Sequence, residues 1–207
     1  MKEYLTGSSL YKRFFSLLGL CSALFIVSWF ISYYFLPEQI LRNKFPVALL
    51  AGEDILYGSI AMEFIKIFII NALIAVFLIV LPSFLQISRI SLGYCMPIIQ
   101  SGLYGMFLGT NSFTVPNPAD KIYPTISVLT RSGPYEFIAY ILIASVCYKI
   151  GYYNTTGKWP KKSKLIKIRY NKLINFTKIE LLLLSIAAII LAAACYYEAY
   201  RIYGIIY

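Results

Sequence analysis

Apolar runs that approach the length of a membrane-spanning helix recur along this chain of 207 residues, and they constrain its fold more than any other feature. Five such runs lie at about 14–36, 67–86, 91–109, 134–153 and 181–197. A helix needs roughly 20 mostly apolar residues to cross the hydrocarbon core of a bilayer. Only 14% of the residues are charged, whereas a soluble domain carries about 25%. The sequence therefore predicts an all-α, polytopic membrane protein with about five transmembrane helices, in a single domain over residues 1–207.

The first run is predicted to remain in the protein as a transmembrane helix. A secretory signal peptide has a shorter apolar stretch, followed by small residues near a cleavage site. Here the run follows Lys12 and Arg13 and continues through Trp29 and Tyr34, aromatic residues typical of a membrane interface.

Basic residues outnumber acidic residues by 19 to 9, and their positions predict the orientation in the cell membrane. Cytoplasmic loops of membrane proteins carry the excess of Lys and Arg. Thirteen of the 19 basic residues fall on one side of a five-helix topology: Lys2, Lys12, Arg13, Arg89, Lys149 and the eight of residues 158–178. The N-terminus is therefore predicted to be cytoplasmic and the C-terminus external. Because this placement accounts for the net charge of +10, nucleic acid is not an expected partner.

The basic segment, residues 158–178, contains eight basic residues and no acidic residue. On a helical projection most of its apolar side chains share about half of the circle, which favours an amphipathic helix on anionic lipid. We expect six of its side chains to face lipid or a cytosolic partner: Lys161, Lys162, Lys164, Lys167, Arg169 and Lys172.

Several kinds of chemistry lack the residues that they need. The chain has no histidine, which excludes histidine-based zinc sites, haem ligation by histidine and Ser-His-Asp triads. The four cysteines are far apart in sequence and form no CxxC pair, so each is predicted to be a small buried residue. No nucleophile stands beside a base. We therefore expect no enzymatic activity, no cofactor and no metal site.

A few polar residues in or beside the apolar runs are the candidates for function. Ionisable groups at membrane depth are costly and are functional by default. Asn71 is predicted to form an interhelical hydrogen bond, with a functional role as the alternative. Glu136 is predicted to cap its helix and to pair with Arg131. The alternative is a functional role for its carboxylate. The helix centres carry only amides and hydroxyls, which weighs against autonomous secondary transport.

Glycines in the third run predict close helix packing. Gly105 and Gly109 form a GxxxG motif, and Gly102 lies one turn before it. Small residues let membrane helices approach closely. Packing within one protomer is favoured over a contact between two copies.

The order of these features resembles the stage II sporulation protein M family of integral membrane proteins, over roughly residues 60–200. The features are an early asparagine in Phe68-Ile-Ile-Asn71-Ala72, the glycine-rich third run, and Ser132-Gly133-Pro134-Tyr135-Glu136. In that family the entrance of the fourth helix reads His-Gly-x-x-Glu, so Gly133 and Glu136 match while Ser132 replaces the histidine. The resemblance implies a polar packing node of Asn71, Gly133 and Glu136, with Arg131 beside it.

The resemblance also implies a role. Members of the family resemble helical membrane scaffolds or partners, tied in sporulating bacteria to a complex that remodels the cell wall. The predicted function is a non-enzymatic scaffold or partner subunit, with the lipid bilayer and other membrane proteins as partners. Two alternatives stay open. One is a transporter or channel component, in which residues 110–133 fold back toward a pore. The other is a cofactor-free accessory subunit of an energy-transducing complex.

Overall fold

The computed structural model describes residues 2–7, 9–42, 44, 59–113, 121–156, 164–167 and 176–206, and most of them are helical. The helices are α1 Lys2–Thr6, α2 Leu10–Phe35, α3 Ile60–Ile74, α4 Cys95–Thr110, α5 Gly133–Cys147 and α6 Lys178–Ile206. The wider π-helical turns of Ala75–Val80 and a 3-10 turn at Pro82–Phe84 extend α3. Further 3-10 turns are Leu92–Tyr94, Ile126–Thr130 and Tyr148–Ile150.

Three stretches of helix are long and apolar enough to cross a membrane. They confirm the prediction of a membrane protein, but not its five crossings or its orientation. They are Leu10–Phe35, Ile60–Phe84 and Lys178–Gly204. Helices α4 and α5 have 16 and 15 residues, so they extend only about 24 and 22 Å at 1.5 Å per residue. The predicted run 134–153 was too long, because its last residue lies in a strand that begins at Tyr153.

Helix α5 forms the centre of the bundle. Twelve of its 15 residues are buried, and α2, α4, α6 and the π-helical turns of α3 pack around it. A helix that is apolar on all sides is buried either among other helices or in lipid, and here the first applies to most of α5. The other helices therefore shield α5 from the bilayer on most of its surface.

A small sheet joins the helices at one end, so the prediction of an all-α fold was incomplete. The strands are β1 Leu85–Ile87, β2 Ile90–Ser91, β3 Tyr153–Thr156 and β4 Lys164–Lys167, in the order β2-β1-β3-β4. The β1–β2 and β3–β4 pairs are antiparallel, and β1 and β3 are parallel, with Gln86 opposite Asn154. Strands this short carry no periodicity that a local sequence pattern can reveal.

The predicted amphipathic helix of the basic segment is wrong where the structure describes it. Lys164 and Lys167 lie in the edge strand β4, and both are exposed. Lysines on an edge strand discourage pairing with another chain, which is a reason for their exposure there. The other predicted lipid- or partner-facing residues, Lys161, Lys162, Arg169 and Lys172, lie outside the described residues.

Helices α2 and α4 pack through the predicted glycines. A Cβ atom on Gly105 would lie 2.5 Å from the carbonyl oxygen of Phe25, and one on Gly109 would lie 2.7 Å from the backbone nitrogen of Tyr33. Gly102 has ordinary spacing, with Leu24 Cδ2 at 3.4 Å from the same position. The glycines thus allow the two backbones to approach within one protomer.

Residues 121–131 lie across the end of α2. The indole nitrogen of Trp29 donates to the carbonyl of Ile122 at 2.8 Å. The Lys121 ammonium donates to the carbonyls of Tyr33, at 3.1 Å, and of Leu36. A cation at a helix C-terminus stabilises the last carbonyls, so this part of the predicted loop 110–133 caps the first long helix.

The opposite end of the bundle is built around Arg13, which is 1% exposed. Its Nε donates to the carbonyl of Ser145 at 3.2 Å, and its Nη1 donates to that of Gly7 at 2.6 Å. The guanidinium also lies 4.8 Å from the centre of the Tyr148 ring. Arg13 therefore ties the start of α2 to the ends of α1 and α5.

Candidate functional site

Three glutamates on three different helices lie near one another at the end of the bundle where α3 and α5 begin. We call Glu63, Glu136 and Glu198 the acidic cluster. Glu63 is in the first turn of α3 and Glu136 in the first turn of α5, and each is 8% exposed. Glu198 of α6 is partly buried. Carboxylates in the first turn of a helix favour the positive end of its dipole, which explains two of the three positions.

The carboxyl group of Glu136 lies beside that of Glu198 and beside the Ser132 side chain. Glu63 lies close enough to Glu198 to act on it electrostatically. Ionised carboxylates accept hydrogen bonds and cannot donate them. A hydrogen bond between Glu136 and Glu198 would therefore need a proton on one of them.

A second polar network lies one turn deeper in the bundle. The Tyr140 hydroxyl donates to Asn71 Oδ1 at 2.6 Å. The Asn71 amide nitrogen in turn donates to the carbonyl of Ile67 at 3.0 Å and to Cys195 Sγ at 3.6 Å. Asn71 thus joins α3 to α5 and α6, the interhelical role expected from its position in the sequence.

Gly133 and Arg131 hold the entrance of α5. A Cβ atom on Gly133 would lie 2.6 Å from Cε1 of the Tyr104 ring, so only glycine lets this ring pack on the backbone. Burial, with a smaller effect of the nearby Arg201, lowers the pKa of Arg131. Arg201 donates to the carbonyl of Thr130 at 3.2 Å, which fastens the end of α6 to the loop.

The predicted pair of Arg131 and Glu136 is not formed. The ion pairs among the described residues are Glu63–Lys66 at 3.9 Å and Lys149–Glu180 at 2.6 Å. Arg131 instead faces Tyr104, Arg201 and Tyr197. Glu136 does occupy the first turn of α5, as expected of a helix-capping carboxylate.

The partners of the predicted node were not among the candidate residues from the sequence. Glu198 was placed just beyond the last predicted run, but α6 continues to Ile206 and carries Glu198 into the bundle. Tyr140 was overlooked although it lies four residues after Glu136, on the same face of a helix. The same spacing rule links Cys195 and Glu198, three residues apart.

The cluster has the chemistry of an acid–base site. Oε1 of Glu136 and Oε2 of Glu63 are buried and have no hydrogen-bond partner among the described residues. In the same part of the chain, no three His, Cys, Asp or Glu side chains are grouped closely enough to hold a metal ion. Two adjacent carboxyl groups suffice to hold a proton between them.

An apolar groove is the other candidate site. Its volume is about 500 Å³, and α2, α5 and residues 124–129 line it. The lining runs from Leu18 to Phe30 on α2 and from Pro134 to Ile141 on α5, and its polar members are Ser22 and Thr125. The groove lies along the side of α5 that the other helices do not cover.

Comparison of the chain with protein-family models, with curated proteins and with solved structures finds no match in any of the three.

Proposed function

We propose that the protein is a non-enzymatic, multi-pass protein of the cell membrane that works as a scaffold or partner subunit of a larger membrane complex. This is the role that the resemblance to the stage II sporulation protein M family implies. The proposal includes five crossings, by α2 to α6, with a cytoplasmic N-terminus and an external C-terminus.

The grouping of basic residues supports that topology. The Tyr148 hydroxyl contacts the carbonyls of Thr6 and Arg89, each at 3.1 Å. The N-terminal helix, the turn after β1 and the end of α5 therefore meet at one end, together with Lys149. Positive charge collected at one end is the pattern of a cytoplasmic face.

The two short helices are compatible with crossing. The 3-10 turn Leu92–Tyr94 lengthens the helical path of α4, and Tyr148–Ile150 lengthens that of α5. Because α5 is enclosed by its neighbours, it does not itself have to match the full thickness of the hydrocarbon core.

The observation that carries the scaffold role is the apolar groove beside α5. Its lining on α2 covers 13 positions from Leu18 to Phe30, which is about 18 Å along the helix. An apolar groove of this length beside an otherwise covered helix fits one transmembrane helix of another membrane protein. Association of such helices is driven by close packing, which an open groove provides.

Site-specific photo-crosslinking in the native membrane tests this proposal. A crosslinking amino acid at Ile26, which lines the groove, should capture a defined membrane protein. The same group at Leu73, which is 50% exposed on α3 away from the groove, is the matched control. Ile138→Trp fills the groove and should abolish the adduct at Ile26.

Two results would overturn the proposal. One is capture of lipid alone at Ile26, with a chain that purifies as a lone monomer. The other is the same adduct at Leu73, since a contact unrelated to the groove would then explain it. Unchanged thermal unfolding of the Ile138→Trp variant shows that its fold is intact.

The acidic cluster favours a second candidate, a transporter or channel component. Transport was doubted because the helix centres carry only amides and hydroxyls, and Glu136 and Glu63 do lie in first turns, but both are buried there. Reconstituted vesicles that carry an ion or a small solute, and lose this on Glu136→Gln but not on Glu38→Gln, would support it. Glu38 is an exposed glutamate outside the cluster.

A further inference from the structure

The carboxyl groups of Glu136 and Glu198 lie side by side where α5 packs against α6. Charged and titratable groups approach this pair from α3, α4, α5, α6 and the loop before α5: Glu63, Lys66, Tyr104, Tyr140, Cys195, Arg201 and Arg131. Lys66 is paired with Glu63 at 3.9 Å, and Arg131 faces Tyr104 and Arg201. Among the described residues, no Lys or Arg lies within ion-pair distance of Glu136 or Glu198.

A buried carboxylate without a cation is costly. Two adjacent carboxylates are costlier still, because the like charges repel and little water reaches them. Glu136 is only 8% exposed. A proton shared between the two carboxyls removes one of the charges and supplies the donor for their hydrogen bond.

The free carboxyl oxygens are a separate observation. Oε1 of Glu136 points to no donor, and Oε2 of Glu63, on a different helix, also has none among the described residues. Buried polar atoms normally find a partner. These oxygens can accept a proton or hydrogen-bond a water molecule that carries one.

We propose that Glu136 and Glu198 form a proton-binding site that links α5 to α6. In the loaded state one carboxylic acid donates to the other carboxylate. In the unloaded state the O–H bond of the acid breaks, its electron pair stays on the carboxylate, and a water molecule takes the proton. Two facing carboxylates remain, and their repulsion separates the start of α5 from α6. The site thus converts proton release into a change in helix packing.

Infrared difference spectroscopy on the full chain in lipid nanodiscs, titrated in pH, tests proton binding. The wild type should show the carbonyl band of one protonated carboxyl group that persists above the pH at which ordinary glutamates ionise. Glu136→Gln and Glu198→Gln should each abolish this band, whereas Glu38→Gln should retain it. Using two variants keeps the test decisive if one of them does not fold.

Distance measurement between spin labels tests the link to packing. Labels replace Tyr135 of α5 and Tyr200 of α6, both exposed, in a Cys95→Ser background because Cys95 is the exposed native thiol among the described residues. The distance should increase as the pair loses its proton. In Glu136→Gln it should stay constant, because the amide of glutamine donates permanently to Glu198.

Three outcomes would overturn the proposal. The carboxyl band is absent from the wild type, or it survives in both glutamine variants. The spin-label distance does not change although the band disappears. Finally, sodium ions at constant pH abolish the band, which would identify a site for a monovalent metal cation instead. None of these outcomes depends on the groove or its partner, so the proposed scaffold role is tested separately.

Discussion

The packing of α2 against α4 through glycine makes a prediction that separates two uses of the GxxxG motif. Adding a methyl group by Gly109→Ala places a Cβ atom 2.7 Å from the Tyr33 nitrogen and 2.8 Å from the Trp29 oxygen. Both are backbone atoms, so relief requires the two helices to move apart. In contrast, no atom lies within 4 Å of the Cβ position of Gly19, which is on an exposed face of α2.

The difference in the free energy of unfolding between Gly109→Ala and Gly19→Ala measures the cost of the steric contact. Both substitutions gain helix propensity of about 1 kcal/mol, since glycine is unfavourable inside a helix. Overpacking a tight contact costs about 1–3 kcal/mol. Gly109→Ala should therefore be less stable than Gly19→Ala by about 1–3 kcal/mol. Gly102→Ala, with its nearest atom at 3.4 Å, should resemble Gly19→Ala.

Reversible unfolding in mixed detergent micelles, at several protein concentrations, measures these differences. The stability loss of Gly109→Ala should be independent of concentration, because the contact lies within one protomer. Two results would refute this reasoning. One is equal stability of Gly109→Ala and Gly19→Ala. The other is loss of an oligomer by Gly109→Ala with unfolding unchanged, which would assign the motif to a contact between copies.

Four further substitutions test contacts between elements in the same unfolding assay. Tyr140→Phe removes the hydrogen bond to Asn71 and should cost about 0.6–1.7 kcal/mol, as interhelical bonds do in membranes; unchanged stability would contradict it. Lys149→Met breaks a pair whose lysine is 40% exposed and should cost at most about 1 kcal/mol. Glu180→Ala also removes the hydrogen bond that Glu180 Oε2 accepts from the Thr177 backbone N–H at 2.8 Å, which caps the start of α6. It should therefore cost about 1–2 kcal/mol, and a smaller loss than that of Lys149→Met would contradict this assignment. Arg13→Lys keeps the charge but cannot donate in two directions from one planar group, and should lower stability by about 1–3 kcal/mol; an unchanged midpoint would show that charge alone suffices.

Hydropathy predicted the existence of the long helices well and their ends poorly. The run 14–36 lies almost entirely within α2, but α2 begins at Leu10 and includes Lys12 and Arg13. A helix is held by backbone hydrogen bonds, which continue through charged residues beyond the apolar core. For the same reason α6 continues past the predicted end at residue 197, so that Glu198 lies within the bundle.

The sheet could not be predicted from local pattern. Strand β1 pairs with β3, which is more than sixty residues away in sequence, and Gln86 faces Asn154 across the pair. The short connections around residues 85–91 read as a tight turn, which they are, because β1 and β2 form a hairpin. Their pairing with a distant strand depends on where α5 ends, and only the packed helices determine that position.

Candidate residues were easier to find than their partners. Asn71 and Glu136 are conspicuous because a polar group in an apolar helix is costly. Tyr140 is amphipathic and is common in cores, so its hydroxyl gives no signal of its own. The contact of Glu136 with Glu198 depends on the relative rotation of α5 and α6, which apolar helices with little one-sided patterning do not reveal.

One electrostatic rule accounts for most charges at the two ends of the bundle. Glu63 and Glu136 occupy the first turns of α3 and α5, where negative charge is favoured, and Arg13 and Lys149 lie at the end of α5, where positive charge is favoured. Glu198 lies about two turns before the end of α6, too far inside for either end of that helix to stabilise its charge. It also faces the one carboxyl group that α5 has already placed at its own N-terminus. The dipoles do not favour a charge at this position, and no Lys or Arg of the described residues forms an ion pair with Glu198. The proton that Glu198 shares with Glu136 accounts for its place there.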